Sequence, residues 1–121
     1  MARYENLAIY RKAMQLTVFC EDVVAHFSRY HKYTVGTKLR ELAYRTAVLI
    51  VKANNRPKPE RKELIAELRD TVEEMKIVLN VAHELKAFNN AKSFFNAVEM
   101  AADIGRQSEG WLKHSAPPPA S

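Results

Sequence analysis

Residues 33–58, YTVGTKLRELAYRTAVLIVKANNRPK, decide the fold. Val35, Leu39, Leu42, Thr46, Leu49 and Ala53 step by 4, 3, 4, 3 and 4 residues. That spacing draws one stripe along an α-helix and predicts a helix over 35–54 whose stripe faces other helices. With about 100° of rotation per residue, Lys38, Arg45, Lys52 and Arg56 fall along one edge. Tyr44, Ala47, Val48 and Val51 point largely away from the stripe. The run AVLIV (47–51) is therefore apolar around most of the helix, which an outer helix of a monomeric bundle does not require. Thr34 is placed to act as N-cap through its hydroxyl. Asn54-Asn55-Arg56-Pro57-Lys58-Pro59 ends the helix, because two prolines forbid its continuation.

The same spacing recurs on both sides. Over 5–30, Ile9, Ala13, Leu16, Cys20, Val23, Phe27 and Tyr30 form a stripe stepping by 4 and 3. Pro59 is a suitable first residue for a third helix, with Glu60, Glu63 and Glu67 where the helix dipole favours anions. Leu68, Val72, Met75, Leu79 and Ala82 carry its stripe, and Ile77, Val78 and Val81 are expected to broaden it as far as Phe88. Asn89-Asn90 is a turn and cap signal. A fourth helix over 91–113 lines up Phe94, Val98, Ala101, Gly105 and Leu112, with Ile104 and Trp111 beside them. Gly105 and Gly110 lower helix propensity by about 1 kcal/mol each against Ala, which suggests that another backbone comes close there. Four such patterns with short links predict an all-α, antiparallel up-down-up-down four-helix bundle over 1–113. HSAPPPAS (114–121) reads as a disordered Pro-rich tail.

Composition narrows the function. The formal net charge is +5 at pH 7, and residues 35–58 hold six cations against one acid while 59–89 are net acidic. The bias is thus local. One cysteine, Cys20, rules out an internal disulfide and fits a reducing compartment. The opening residues read as no secretory leader, so none is expected, and no apolar run nears the roughly 20 residues of a membrane span. A cytoplasmic protein without membrane association is expected.

No phosphate-binding glycine loop, nucleophile elbow or zinc spacing occurs, so neither an enzyme nor a cofactor is expected. Asp22 and His26, four apart, are the sole hint of a metal pair, and they lack a second pair of ligands. Lys38, Arg45, Lys52 and Arg56 form a candidate track for phosphates, extended at the bundle ends by Lys58, Arg29 and Lys32. A solvated basic face is the alternative, as is pairing with Glu60, Glu63, Glu67, Glu73 or Glu74 of a neighbouring subunit. Tyr44, Ala47, Val48 and Val51 form a candidate oligomer interface. Trp111 reads as a plug at the bundle end or a base-stacking residue.

In order and spacing, YTVGTKLRELAYRTAVLIVKANN, ELRDTVEEMKIVLNVAHEL and IGRQSEGWLKH resemble the accessory variability determinant (Avd) proteins of diversity-generating retroelements. The likeness covers roughly residues 5–113, with Glu109 standing where a small residue is expected. More distantly, the chain is similar to the four-helix proteins encoded in intervening sequences of bacterial ribosomal RNA genes. The resemblance implies a non-catalytic four-helix bundle assembled as a ring-shaped homopentamer with a basic surface. It implies binding to the element's reverse transcriptase and to RNA or DNA, in support of mutagenic cDNA synthesis. It assigns no role to any single residue.

Overall fold

The computed structural model describes residues 3–115, and no strand occurs among them. A 3-10 turn at Tyr4–Asn6 precedes α1 (Ala8–Ala25), followed by the short α2 (Arg29–Lys32) and α3 (Val35–Asn54). A second 3-10 turn, Lys58–Glu60, leads into α4 (Arg61–Glu84), and α5 spans Ala91–Ser115. Residues 116–121, most of the expected Pro-rich tail, lie outside the described residues.

Each long helix packs against two others, α1 and α4 each lying beside both α3 and α5. Leu16, Leu39, Ile50, Leu68, Met75, Leu79 and Ile104 are fully buried between them. Each such side chain contributes about 1.5–3 kcal/mol of hydrophobic stabilisation. Contacts between helices run in opposite order along the chain. Lys38 meets Glu74 and Arg45 meets Glu67 across α3 and α4. Thr17 donates to the Ala43 carbonyl, while Arg40 meets Glu21, across α1 and α3.

The central helix has the bounds its sequence predicts. Its stripe is buried from Leu39 to Ala53, with Val35 half-buried, and Gly36, Ala43 and Ile50 extend the contact. Thr34, however, makes no capping bond. Its Oγ1 instead donates to the Tyr30 carbonyl at 2.8 Å, so it closes the preceding turn.

The first pattern divides. α1 ends at Ala25, the chain turns through His26-Phe27-Ser28, and α2 begins. Phe27 still reaches the core and meets Phe88 edge-on at 5.3 Å. The register already shifts in the last turn of α1, where Val24 is buried and Val23 half-buried, and beyond the break Tyr30 is exposed.

The entry to α4 also differs from expectation. Pro59 lies in the 3-10 turn, and α4 starts at Arg61. Arg61 folds back, its Nε donating to the Arg56 carbonyl at 2.8 Å and its Nη2 to the Asn54 carbonyl at 3.3 Å. These bonds satisfy carbonyls that the end of α3 leaves without helical partners.

α4 stops at Glu84, short of Phe88. Lys86 sits at φ 60°, its N–H bonding the His83 carbonyl while Ala87 N–H bonds the Ala82 carbonyl. This is a Schellman ending with lysine in the left-handed position that glycine occupies at least cost. Lys86→Gly is expected to raise stability by about 1 kcal/mol. Urea denaturation checks this, and an unchanged or lower midpoint would contradict it. Asn90 then caps α5, its Oδ1 accepting from Ser93 N–H at 2.8 Å.

Two stripe assignments are corrected. Ile77 is 63% exposed and Val81 is 46% exposed, so neither broadens the core face of α4. On α5 the buried face is Phe94, Ala97, Ala101, Ile104 and Ser108, while Val98, Gly105 and Leu112 are half-buried. The close approach expected at Gly105 and Gly110 is absent. A Cβ at Gly105 would make only ordinary contacts at 3.6 Å, and at Gly110 none within 4 Å. The close approach falls at Gly36 instead.

Candidate nucleic-acid interface

α3 presents its cations outward, and the register of α4 sorts them. Lys38 Nζ lies 3.6 Å from Glu74 and the Arg45 guanidinium bonds Glu67, both within the same chain. Both residues thus have acid partners within their own chain. All four side chains are substantially exposed, so the pairs add little stability. Their effect is to cancel charge along the α3–α4 groove.

Lys52, Arg56 and Lys58 are exposed and form no ion pair among the described residues. They gather where α3 hands over to α4, beside Arg61 and Lys62, which spacing along α3 alone does not reveal. Residues 52–63 hold five cations and two acids, Glu60 and Glu63. A groove of about 500 Å³ lies there, lined by Arg56, Pro59, Lys62 and Glu67 together with those two acids. Along α3, therefore, the cations without an acid partner lie at its C-terminal end. The groove itself holds three carboxylates and two cations, so it is the exposed Lys52, Arg56 and Lys58 side chains, which form no ion pair among the described residues, that suit contact with phosphate groups.

The apolar strip on α3 is also divided. Tyr44 and Val48 are 52% and 48% exposed. Ala47 and Val51 are half-buried, and Ala47 packs against the core. A second apolar strip, Ile77, Val81 and Leu85, runs along α4 and bounds a shallow groove of about 360 Å³ with Asn80 and Glu84. Sequence reasoning missed it because its spacing reads equally well as a wider core face.

The remaining candidates have structural explanations. Cys20 is buried, and burial, then the charge of Glu21, pushes its thiol up to about 12. It stays protonated at neutral pH and is a poor nucleophile. His26 Nδ1 lies 2.8 Å from the Asp22 backbone carbonyl, which leaves Nε2 as its other ring nitrogen. Among the described residues, no group of three or more His, Cys, Asp or Glu could hold a metal ion. No described helix is long and apolar enough to cross a membrane. Trp111 is half-buried and packs against the core, and Arg106 lies 3.5 Å from Asp103. Glu109 lies 3.6 Å from Arg69, linking α5 to α4.

No protein-family model matches the chain, and no curated protein matches it.

Proposed function

We propose that this chain is a non-catalytic accessory bundle that binds nucleic acid and a reverse transcriptase, in the manner its resemblance to the Avd proteins implies. In this reading its four long helices run up-down-up-down and antiparallel, as the opposed order of inter-helix contacts favours. Several copies assemble into a ring, with Tyr44 and Val48 of α3 as the most exposed part of the subunit contact and Ala47 and Val51 beside them. The observation that carries the nucleic-acid reading is the cluster Lys52, Arg56 and Lys58, exposed and without acid partners. Lys38 and Arg45 extend it as a flank of reduced net charge.

The competing reading gives the basic face to subunit assembly alone. Pairing within the chain weakens it, because Glu67 and Glu74 are already engaged by α3 of the same molecule. The same pairing chooses the test. Arg45→Glu would set two carboxylates together and mix local repulsion with any loss of binding, whereas the free cluster can be reversed without that effect.

The combined change Lys52→Glu, Arg56→Glu and Lys58→Glu is expected to weaken RNA binding at least tenfold at moderate salt. Plotting log affinity against log salt should show a slope shallower by about 2, from about 0.7 per lost single-strand phosphate contact. Light scattering should report a mass of several subunits for both proteins. A monomeric parent overturns the ring. Equal RNA affinity of parent and variant overturns the assignment of the cluster, and dissociation of the variant with no RNA binding by either protein supports the competing reading.

A further inference from the structure

The opposite end of the bundle carries a different chemistry. There the α1–α3 connection and the α4–α5 turn come together, with Phe27 against Phe88 at 5.3 Å and Ala87 buried. The first of these segments reads Arg29-Tyr30-His31-Lys32-Tyr33, two tyrosines interleaved with cationic side chains and no acid. Tyr30 is 73% exposed and Tyr33 is 69% exposed, the two most exposed large apolar side chains described. Arg29, Lys32, Lys86 and Lys92 belong to the same end and form no ion pair among the described residues. The acids there are Asp22, on a groove with His26, Asn89, Asn90 and Ser93, and Glu84 at the end of α4.

The tyrosines stand on a braced turn. Lys32 N–H bonds the Ser28 carbonyl at 2.8 Å, and Thr34 Oγ1 bonds the Tyr30 carbonyl at 2.8 Å. Thr37 Oγ1 reaches back to the Lys32 carbonyl at 3.4 Å. Gly36 lets α3 approach so closely that a Cβ there would lie 3.0 Å from the His31 carbonyl oxygen. Aromatic rings held in place on rigid backbone lose little freedom when a ligand covers them.

We infer that Tyr30 and Tyr33, flanked by Arg29, Lys32 and Lys86, form a stacking platform for unpaired bases of a single-stranded nucleic acid. The inference rests on the nucleic-acid reading above but assigns a second surface with its own selectivity. Exposed aromatic faces accept any base, and neighbouring cations track the backbone. A duplex keeps its bases stacked inside and offers no faces to these rings. A protein-docking surface is the less favoured occupant, because lysine is depleted at such interfaces, and three of the four unpaired cations here are lysines. The platform and the Lys52–Lys58 cluster lie near opposite ends of α3, whose 20 residues span about 30 Å.

The test uses fluorescence anisotropy with the full chain, a labelled oligouridine, and an RNA duplex of the same length. Tyr30→Ala combined with Tyr33→Ala should lower affinity for the single strand by about tenfold or more and leave duplex affinity within about twofold. Tyr30→Phe with Tyr33→Phe should keep single-strand affinity, since the ring carries the contact. If the alanine pair binds oligouridine as the parent does, while the parent binds RNA, the platform is wrong and the nucleic-acid reading stands. If the parent binds neither strand form, both fall together. If the alanine pair lowers the oligomer mass and affects both RNA forms alike, the tyrosines belong to a protein interface and the platform is overturned.

Discussion

Gly36→Val is expected to lower the stability of the bundle by about 3 kcal/mol, at the upper end for overpacking a core. Gly36 is buried in the first turn of α3. A Cβ at this position would lie 2.7 Å from Val24 Cγ1, 3.0 Å from the His31 carbonyl oxygen and 3.4 Å from Phe27. Val24 can shift by a few tenths of an ångström, but the His31 carbonyl belongs to the backbone of a braced turn and cannot easily yield. Valine adds two further carbons to a space too small for the first. Gly36 is helical with an ordinary negative φ. Losing glycine would thus help helix propensity by up to about 1 kcal/mol, a gain smaller than the steric cost. At about 4 °C per kcal/mol for a domain of this size, the melting midpoint should fall by about 12 °C. Thermal denaturation followed by circular dichroism measures this. A fall of only a few degrees would mean that α2 and α3 can separate without loss of packing.

Leu79→Ala should be comparably severe, and its contrast with Ile77→Ala tests the register of α4. Leu79 is fully buried in the central core, and its truncation should cost about 2–5 kcal/mol through lost transfer energy and a residual cavity. Ile77 is two residues away, chemically similar, and 63% exposed. Its truncation should change stability by no more than about 0.5 kcal/mol in the isolated subunit. Urea midpoints of the two variants decide the matter. Equal losses would show that α4 is rotated so that Ile77 faces inward, or that another subunit covers it. Repeating the measurement across protein concentrations separates these, since burial between copies makes the loss concentration-dependent.

The helical fold was legible because the stripes are long and their ends are marked. α3 has the limits its sequence predicts, since its spacing stays regular from Val35 to Ala53 and Pro57 and Pro59 close it. The break in the first pattern was not legible. Phe27 and Tyr30 continue the 4 and 3 spacing across it, and spacing alone cannot tell a continuing helix from two short ones. The end of α4 was overestimated for a related reason. Leu85 and Phe88 look like helix residues, while the turn is made by a lysine in the left-handed region where sequence rules look for glycine.

The candidate interface was legible only as a line of cations. Spacing on one helix placed Lys38, Arg45, Lys52 and Arg56 on one edge. Which of them keep their charge unopposed depends on where α4 sets Glu67 and Glu74, a matter of register between helices. Arg61 and Lys62 joined the cluster for the same reason, since the turn at Lys58–Glu60 returns them to the end of α3. Tyr30 was hidden inside a core stripe until the chain turned at His26, while Tyr33 lay in the link beyond it.

By itself, the sequence determined an all-helical chain, the extent of its central helix, most of the core on α3 and α4, and a local excess of cations. Those follow from periodicity, proline and charge, which act over a few residues and are written in order along the chain. The tertiary structure alone decided that Lys38 and Arg45 are neutralised while Lys52, Arg56 and Lys58 are not. It also decided that Ile77 and Val81 face outward, and that Gly36 is the glycine the packing requires. Each of these depends on the rotation and register of one helix against another, which many side chains fix together and no single stretch encodes.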